Sequence, residues 1–356
     1  MPARVLVVDD SAFMRKIISE MVASDPALEV AGTARDGADA LAKVSQLRPD
    51  LMTLDVEMPI LNGLDTLRKL RELPLARKPR VVMCSSLTRE GSVAALQALD
   101  LGAVDFVAKD ASIAVTGLDD LKRDLIAKLK ALAPKGSAAP RPAAPVVRRP
   151  APSLALPSRA GVLAIGSSTG GPPVLERLLT RLPRDLACPV VVAQHMPALF
   201  TRSLAERLNS LGPLPVVHAE EGERALEGGR VYVIQGALNG HVSRGVTGRL
   251  SLRVGRDPVD AVYKPSVNVL LETAGRSCGK TAVGVVLTGM GDDGLAGGRV
   301  MAAEGGLILS QDEASSVVYG MPRAVAEAGL SVALTPEEIS RALEGLSPSL
   351  GVKRAG

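Results

Sequence analysis

The chain has 356 residues and a formal net charge of +4, with 46% hydrophobic but only 2% aromatic residues. That length accommodates two or three domains with their own cores, and an aliphatic core suits buried parallel sheet covered by helices. Three Phe, three Tyr and no Trp exclude a surface that stacks on nucleic-acid bases, three scattered cysteines exclude a disulfide frame or zinc site, and no apolar run approaches the roughly eighteen residues of a membrane span.

The chain enters a strand pattern at its first residues, "RVLVV", with no signal-peptide pattern, which predicts a reduced, cytoplasmic protein. Further strands are predicted at "LEVAG", "LMTLD", "RVVMC" and "VDFVA". Between them run helical stretches, "SAFMRKIISEMV", "GADALAKVS", "GLDTLRKLREL" and "GSVAALQALDLG", and "LDDLKRDLIAKLKAL" closes the segment. Five such units predict an α/β, doubly wound parallel sheet over residues 1–131, with its ligand site at the strand carboxyl ends.

Residues 132–160 carry seven prolines and read as a semi-stiff linker. Lys135, Arg141, Arg148, Arg149 and Arg159 fall there without an acidic neighbour, so the remainder of the chain is close to neutral. The basic balance belongs to the linker and not to a DNA-reading face. Residues 161–346 begin again strand–helix, "GVLAIG", "PPVLERLLTRL", "CPVVVAQ", "ALFTRSLAERLN". A strand-rich middle follows, "VVHAEEG", "GRVYVIQG" and "HVSRGVTGRLSLRVG", before "TAVGVVLTG", "DGLAGGRVMAAEG", "LILSQ" and "PRAVAEAG". This predicts a second α/β sheet, Rossmann-like and mostly parallel, with an antiparallel hairpin insert. Residues 347–356 read as a frayed tail.

In the first segment Asp9 and Asp10 end the first strand and Asp55 the third, with Ser85 and Lys109 at the ends of the fourth and fifth. A strand-end aspartate by itself is most simply a helix cap. Converging carboxylates, however, need a cation, their hard oxygens suit Mg²⁺, and an aspartate beside a metal and an ammonium is placed to attack a phosphoryl group. "VLVVDDS", "LDVEMPILNGLD", "VVMCSSLT" and "DFVAK" resemble the flavodoxin-like receiver domain of bacterial response regulators. The resemblance implies Asp55 as phosphoacceptor, and Mg²⁺ held by the side chains of Asp10 and Asp55, the Glu57 carbonyl and Asp9 through water. It also implies phosphoryl sensing by Ser85 and Lys109. Asp110 stands where a proline usually follows the lysine.

In the second segment "VLAIGSSTGG" fits neither standard phosphate-loop pattern. A nucleophilic serine needs an imidazole within reach and a group to orient it. His195 follows the strand "CPVVVAQ", and Asp292 and Asp293 follow "TAVGVVLTG", all at the sheet edge of the serine loop. His218 and His241 read as structural or rim residues. "IGSSTGGPPVLERLL", "AQHMPALFTRSLAERLN", "KPSVNVLLETA", "LTGMGDDGLAGG" and "SVVYGMPRAV" resemble the catalytic domain of chemotaxis protein-glutamate methylesterases. The resemblance implies Ser168 as nucleophile, His195 as base, Asp293 as its orienting carboxylate, and the Met290 backbone N–H in the oxyanion hole. Ser167 replaces the usual alanine and is expected to point into the sheet. Tyr263 and Lys264 stand where basic or imidazole groups are usual.

Together the two resemblances imply a hydrolase that removes methyl esters from glutamate side chains of chemoreceptors and deamidates receptor glutamines. A receiver would restrain it until a chemotaxis-type histidine kinase phosphorylates Asp55. The expected partners are that kinase and the methylated receptor helices, with no nucleic acid and no membrane insertion. A DNA-binding regulator would need a helix-turn-helix after the linker, where a Gly-rich α/β segment stands instead.

Overall fold

In the computed structural model the chain divides into two compact units. The described residues are 1–109, 115–134, 156, 157 and 159–346, the side chains of 115–117 excepted. Most of the expected linker, the expected tail and Asp110 lie outside them.

The first unit runs β1 (Ala3–Val8), α1 (Ala12–Ala23), β2 (Leu28–Ala34), α2 (Gly37–Leu47), β3 (Leu51–Asp55), α3 (Gly63–Glu72), β4 (Arg80–Ser86), α4 (Arg89–Asp100), β5 (Asp105–Lys109) and α5 (Val115–Leu132). The strands pair in parallel in the order β2-β1-β3-β4-β5, the flavodoxin-like winding. Ser11, Asp36, Asn62 and Thr88 each accept the N–H three residues on and so cap α1 to α4. Such caps contribute about 1 kcal/mol each and turn the chain sharply after each strand, which leaves the strand ends as an open rim.

The second unit runs β6 (Val162–Ser167), α6 (Gly171–Leu179), β7 (Val190–Gln194), α7 (Ala198–Leu211), β8 (Val216–Ala219), β9 (Gly222–Ala225), β10 (Val231–Ile234), β11 (Asn239–Arg244), β12 (Leu250–Gly255), α8 (Val267–Cys278), β13 (Ala282–Val286), α9 (Leu295–Ala303), β14 (Leu307–Gln311), α10 (Met321–Glu327), β15 (Val332–Leu334) and α11 (Pro336–Glu344). Seven strands form one sheet in the order β15-β14-β13-β6-β7-β10-β8, paired in parallel throughout. β6 and β13 are entirely buried aliphatic strands, as a sheet covered on both faces requires.

Three features differ from the sequence reading. The antiparallel part is a separate sheet, β11-β12-β9, because the polar, exposed "GERA" of β9 pairs with β12 although it lacks the alternation that marks a strand. Helix α8 buries Val267, Leu270, Leu271 and Ala274 on one stripe and lies against β6. There Gly166 leaves room, since a Cβ on it would collide with Val267. The chain also continues past "PRAVAEAG" into β15 and α11, the latter started by a capping box at Thr335 and Glu338.

Candidate functional site

In the second unit β6 is flanked by β7 on one side and β13 on the other. The strands of this sheet before β13 are added on one side of β6 and β13 to β15 on the other, so strand order reverses there and opens a crevice at the strand carboxyl ends. Ser168 follows β6, His195 follows β7, and Asp293 lies in the loop after β13. Backbone bonds carry the ladder past the strands into these loops: the His195 N–H donates to the Ser167 carbonyl, and the Ser168 N–H to the Thr288 carbonyl, each at 3.0 Å.

Asp293 is buried and its carboxylate accepts four hydrogen bonds. Oδ1 accepts from Ser266 Oγ at 3.1 Å and from the Asn268 N–H at 2.8 Å. Oδ2 accepts from the Val267 N–H and from His195 Nε2, both at 2.8 Å. Asp293 therefore sits at the N-terminus of α8, where free amides and the helix dipole favour an anion. Burial pushes its carboxyl up, but the His195 contact and the two amide bonds outweigh that and hold it below the ordinary carboxylate value. The neighbouring Asp292 is exposed, so of the two aspartates Asp293 is the one beside the imidazole.

An ionised carboxylate can only accept, so Nε2 carries the ring proton and Nδ1 keeps its lone pair. Nδ1 is buried and has no hydrogen-bond partner among the described residues. The Tyr263 ring lies flat on the imidazole, with centroids 4.5 Å apart and planes 8° from parallel.

Ser168 is half-buried and braced from two sides. Gln194 donates from Nε2 to the Ser168 carbonyl at 3.0 Å and to the His195 carbonyl at 3.2 Å, and its Oε1 accepts from Ser167 Oγ at 2.6 Å. Ser167 is thus fully buried, pointing inward. Thr288 Oγ1 donates to the Thr169 carbonyl at 2.9 Å, and Gln311 Oε1 accepts the Thr288 N–H at 2.9 Å. A Cβ on Gly289 would stand 2.8 Å from the Ser168 Cβ, so this loop passes the serine at a distance only glycine allows. The Met290 N–H, one residue on, meets no acceptor among the described residues. His218 bonds Thr201 through Nε2 at 3.1 Å, and His241 Nε2 lies 2.7 Å from the Asp257 carbonyl; neither bonds His195 or Asp293. Ser168 shares the sheet edge with that pair, but no hydrogen bond joins its hydroxyl to Nδ1.

Sequence reasoning missed Gln194, Ser266, Asn268 and Asn239. Buried Asn239 accepts the Ser266 N–H at 2.9 Å and donates to the Pro258 carbonyl at 3.3 Å, which pins both ends of the loop that carries Tyr263. Asn268 Oδ1 accepts from the N–H groups of Gly294 and Gly297 at 2.9 Å, which caps α9 from α8. Only Ser266 left a trace in the sequence, as a capping serine before an apolar helical run.

In the first unit the strand ends bring Asp9, Asp10 and Asp55 together, one oxygen of each within 4.8 Å of the others. Lys109 Nζ lies 3.0 Å from Asp9 Oδ2 and 2.7 Å from Asp55 Oδ1. Burial pushes the Asp55 carboxyl up to about 6 against the pull of Lys109, with Asp9 adding to the rise. Burial also opposes the Lys109 charge, but the two carboxylates raise its pKa. One ammonium shared by two carboxylates stays charged and leaves the cluster short of positive charge, as a hard-oxygen cation site requires. A 170 Å³ cavity beside it is lined by Asp10, Asp55, Val56, Glu57, Ser86 and Lys109. Ser85 is not brought to that cavity: it is fully buried and donates to the Gly91 carbonyl at 2.7 Å. Ser86, the next residue, lines the cavity.

Residues 163–343 match the family model described as CheB methylesterase, and residues 5–115 match the response regulator receiver domain. A protein-glutamate methylesterase/protein-glutamine glutaminase of Oleidesulfovibrio alaskensis is 44% identical over 354 residues, covering 92% of this chain and 94% of the relative. One from Geobacillus kaustophilus is 45% identical over 340 residues, covering 94% and 95%. The crystal structure of the Thermotoga maritima CheB methylesterase catalytic domain aligns with a TM-score of 0.50 at 34% identity, over 52% of this chain and 98% of that one. No helix among the described residues is long and apolar enough to cross a membrane.

Proposed function

Because the chain belongs to the CheB methylesterase family and carries a response regulator receiver domain, we propose that it is a protein-glutamate methylesterase and protein-glutamine glutaminase acting on chemoreceptors, with Ser168, His195 and Asp293 as its triad. Ser168 Oγ forms a bond to the ester carbonyl carbon while its proton passes to His195 Nδ1. Asp293 stabilises the imidazolium that forms. Collapse of the tetrahedral adduct breaks the bond to the methoxy oxygen, which takes the proton from His195 and leaves as methanol. Water then attacks the acyl carbon and gives a proton to His195; collapse of that adduct breaks the bond to Ser168 Oγ, which takes the proton back from His195, and the freed glutamic acid loses its own proton to solvent. A glutamine follows the same course with ammonia leaving. The Met290 N–H is free to donate to the oxyanion, where one such donor is worth about 10²–10³ in rate. The observation that supports this reading most is the Asp293-bonded imidazole with its buried, unpartnered Nδ1, on a loop that Gln194 ties to the nucleophile's.

The receiver supplies regulation in this reading. A histidine kinase of the chemotaxis type is the phosphodonor and Asp55 the acceptor, with Lys109 contacting the phosphoryl group and Ser85 reaching it by leaving Gly91. The carboxylate cluster fits Mg²⁺, which Asp10, Asp55 and the Glu57 carbonyl would hold, with Asp9 through water. Bound there, the ion would neutralise charge on the phosphoryl oxygens. Phosphorylation shifts the receiver away from a form that restrains the esterase. Methanol release from methylated receptor membranes tests the proposal, with and without acetyl phosphate and Mg²⁺. The parent should release methanol and respond to both, and Ser168→Ala should do neither; equal release by the two proteins rejects the triad. Full activity of the parent without phosphodonor, unchanged on removing residues 1–131, rejects restraint by the receiver.

A further inference from the structure

We propose that Tyr263 is a positioning residue for His195, its ring fixing the imidazole in the Asp293-bonded orientation and favouring the protonated form; the proposal rests on the esterase reading of this site. The imidazole is hydrogen-bonded at one nitrogen only, Nε2 to Asp293, because Nδ1 has no partner among the described residues. One bond fixes a point on a ring and leaves it free to turn. The second constraint is the stack with Tyr263, 4.5 Å between centroids and 8° from parallel, since two flat rings in that contact cannot turn independently.

Tyr263 is itself held. Its loop is pinned at Pro258 and at Ser266 by the buried amide of Asn239. On the far side a Cβ built on Gly291 would stand 3.2 Å from the Tyr263 hydroxyl, so the phenol reaches the loop that carries Asp293. The tyrosine thus spans from the base to the Met290–Asp293 turn, and its orientation is set by groups outside the reaction.

The stack also has an electrostatic sense. When Ser168 gives up its proton the imidazole becomes a cation, and an aromatic face at this distance attracts a cation. Few other charges bear on the ring. Asp293 bonds it from the loop after β13; Lys264 sends its ammonium to the Val259 carbonyl, 2.7 Å away; Asp292 is exposed. The ends of β6 and β7 contribute Ser167 and Gln194, and the loop after β6 contributes Ser168 and Thr169, all uncharged. Tyr263 is therefore the neutral partner set against the anionic one.

The test is an NMR titration of the His195 ring in the full chain, whose only other histidines are His218 and His241. Parent, Tyr263→Phe and Tyr263→Leu are compared, with Tyr263→Met as a second apolar variant should the Leu form not fold. Phe keeps the stack and should keep the upfield-shifted ring resonances and the titration of the parent. Leu keeps the apolar cover but removes the π face, so the resonances should move downfield and the titration curve should differ from the parent's. In methanol release kcat should drop about three- to tenfold with KM within about twofold. An apolar variant that titrates and resonates as the parent does overturns the proposal, and so does a rise in KM alone. If the parent itself releases no methanol, the esterase reading fails while the titration still decides whether Tyr263 governs the imidazole.

Discussion

Replacing Asp293 by Asn is the most exacting perturbation of the site, because shape is kept and only charge and one hydrogen-bond sense change. Each carboxylate oxygen accepts from one backbone amide that cannot turn away: Asn268 N–H at Oδ1 and Val267 N–H at Oδ2. Wherever the new NH₂ sits, it therefore faces a fixed donor. Orphaning one buried N–H costs about 1–3 kcal/mol, and bonds to a charged acceptor, about 1.5–3 kcal/mol each, fall to roughly 1 kcal/mol for a neutral one. The expected destabilisation of the second unit is about 2–4 kcal/mol. All three tyrosines, Tyr232, Tyr263 and Tyr319, lie in that unit and the chain has no Trp, so tyrosine fluorescence in urea reports on it alone. The pH dependence has a definite sign. The Asp293 pKa is depressed in the folded chain, so its contribution is present above the ordinary carboxylate pKa and is lost as pH falls below it; Asp293→Asn should lack that acid-side loss. If the NH₂ takes the Oδ2 place, the imidazole must present a lone pair to it, Nδ1 becomes protonated, and kcat falls by about 10³–10⁴. A variant within tenfold of the parent in kcat, with the same urea midpoint and the same acid limb, would show that the carboxylate neither orients the base nor anchors α8.

Gln194→Ala removes both donors that join the Ser168 and His195 carbonyls and strands the Ser167 hydroxyl; a loss of about 1–3 kcal/mol in urea unfolding is expected, with kcat lowered more than KM in methanol release. Gly289→Ala puts a methyl group 2.3 Å from the Met321 Sδ and 2.8 Å from the Ser168 Cβ; the flexible methionine end can give way but the serine loop must shift, and the displaced nucleophile should cost about 10²-fold in kcat while circular dichroism stays that of the parent. Mg²⁺ at ten times its Kd should stabilise the first unit by about 1.4 kcal/mol, read as slowed hydrogen exchange in β1–β5, and Asp10→Asn should remove most of the response.

The framework of both units was legible because it is local. Buried aliphatic strands, alternating with amphipathic helices and started by Ser11, Asp36, Asn62 and Thr88, declare themselves within a window of a dozen residues. The same periodicity deposits Asp9, Asp55 and Lys109 at strand ends, and likewise Ser168 and His195. Ser85 was less legible: the strand end fixes which residue is there but not which way its hydroxyl turns, and the buried Gly91 carbonyl decides that. β9 was not legible at all, since "GERA" is a strand only because β12 offers it an edge.

The residues that escaped sequence reading have a common cause. In the first unit the helices after β1 to β4 are capped by their own side chains, three residues away in sequence. In the second unit α6, α7 and α9 begin without a side-chain cap of their own. Instead α9 is capped by Asn268 of α8, and the amides opening α8 are met by Asp293 from the loop before α9. The two helix starts satisfy each other across more than twenty residues of chain, a pairing that no local pattern encodes. The carboxylate that completes this exchange is the one bonded to the imidazole, so satisfying backbone amides and orienting His195 are the same set of hydrogen bonds. A substitution at Asp293 therefore cannot change catalysis and leave the packing of α8 on α9 intact, and stability and rate should fall together there.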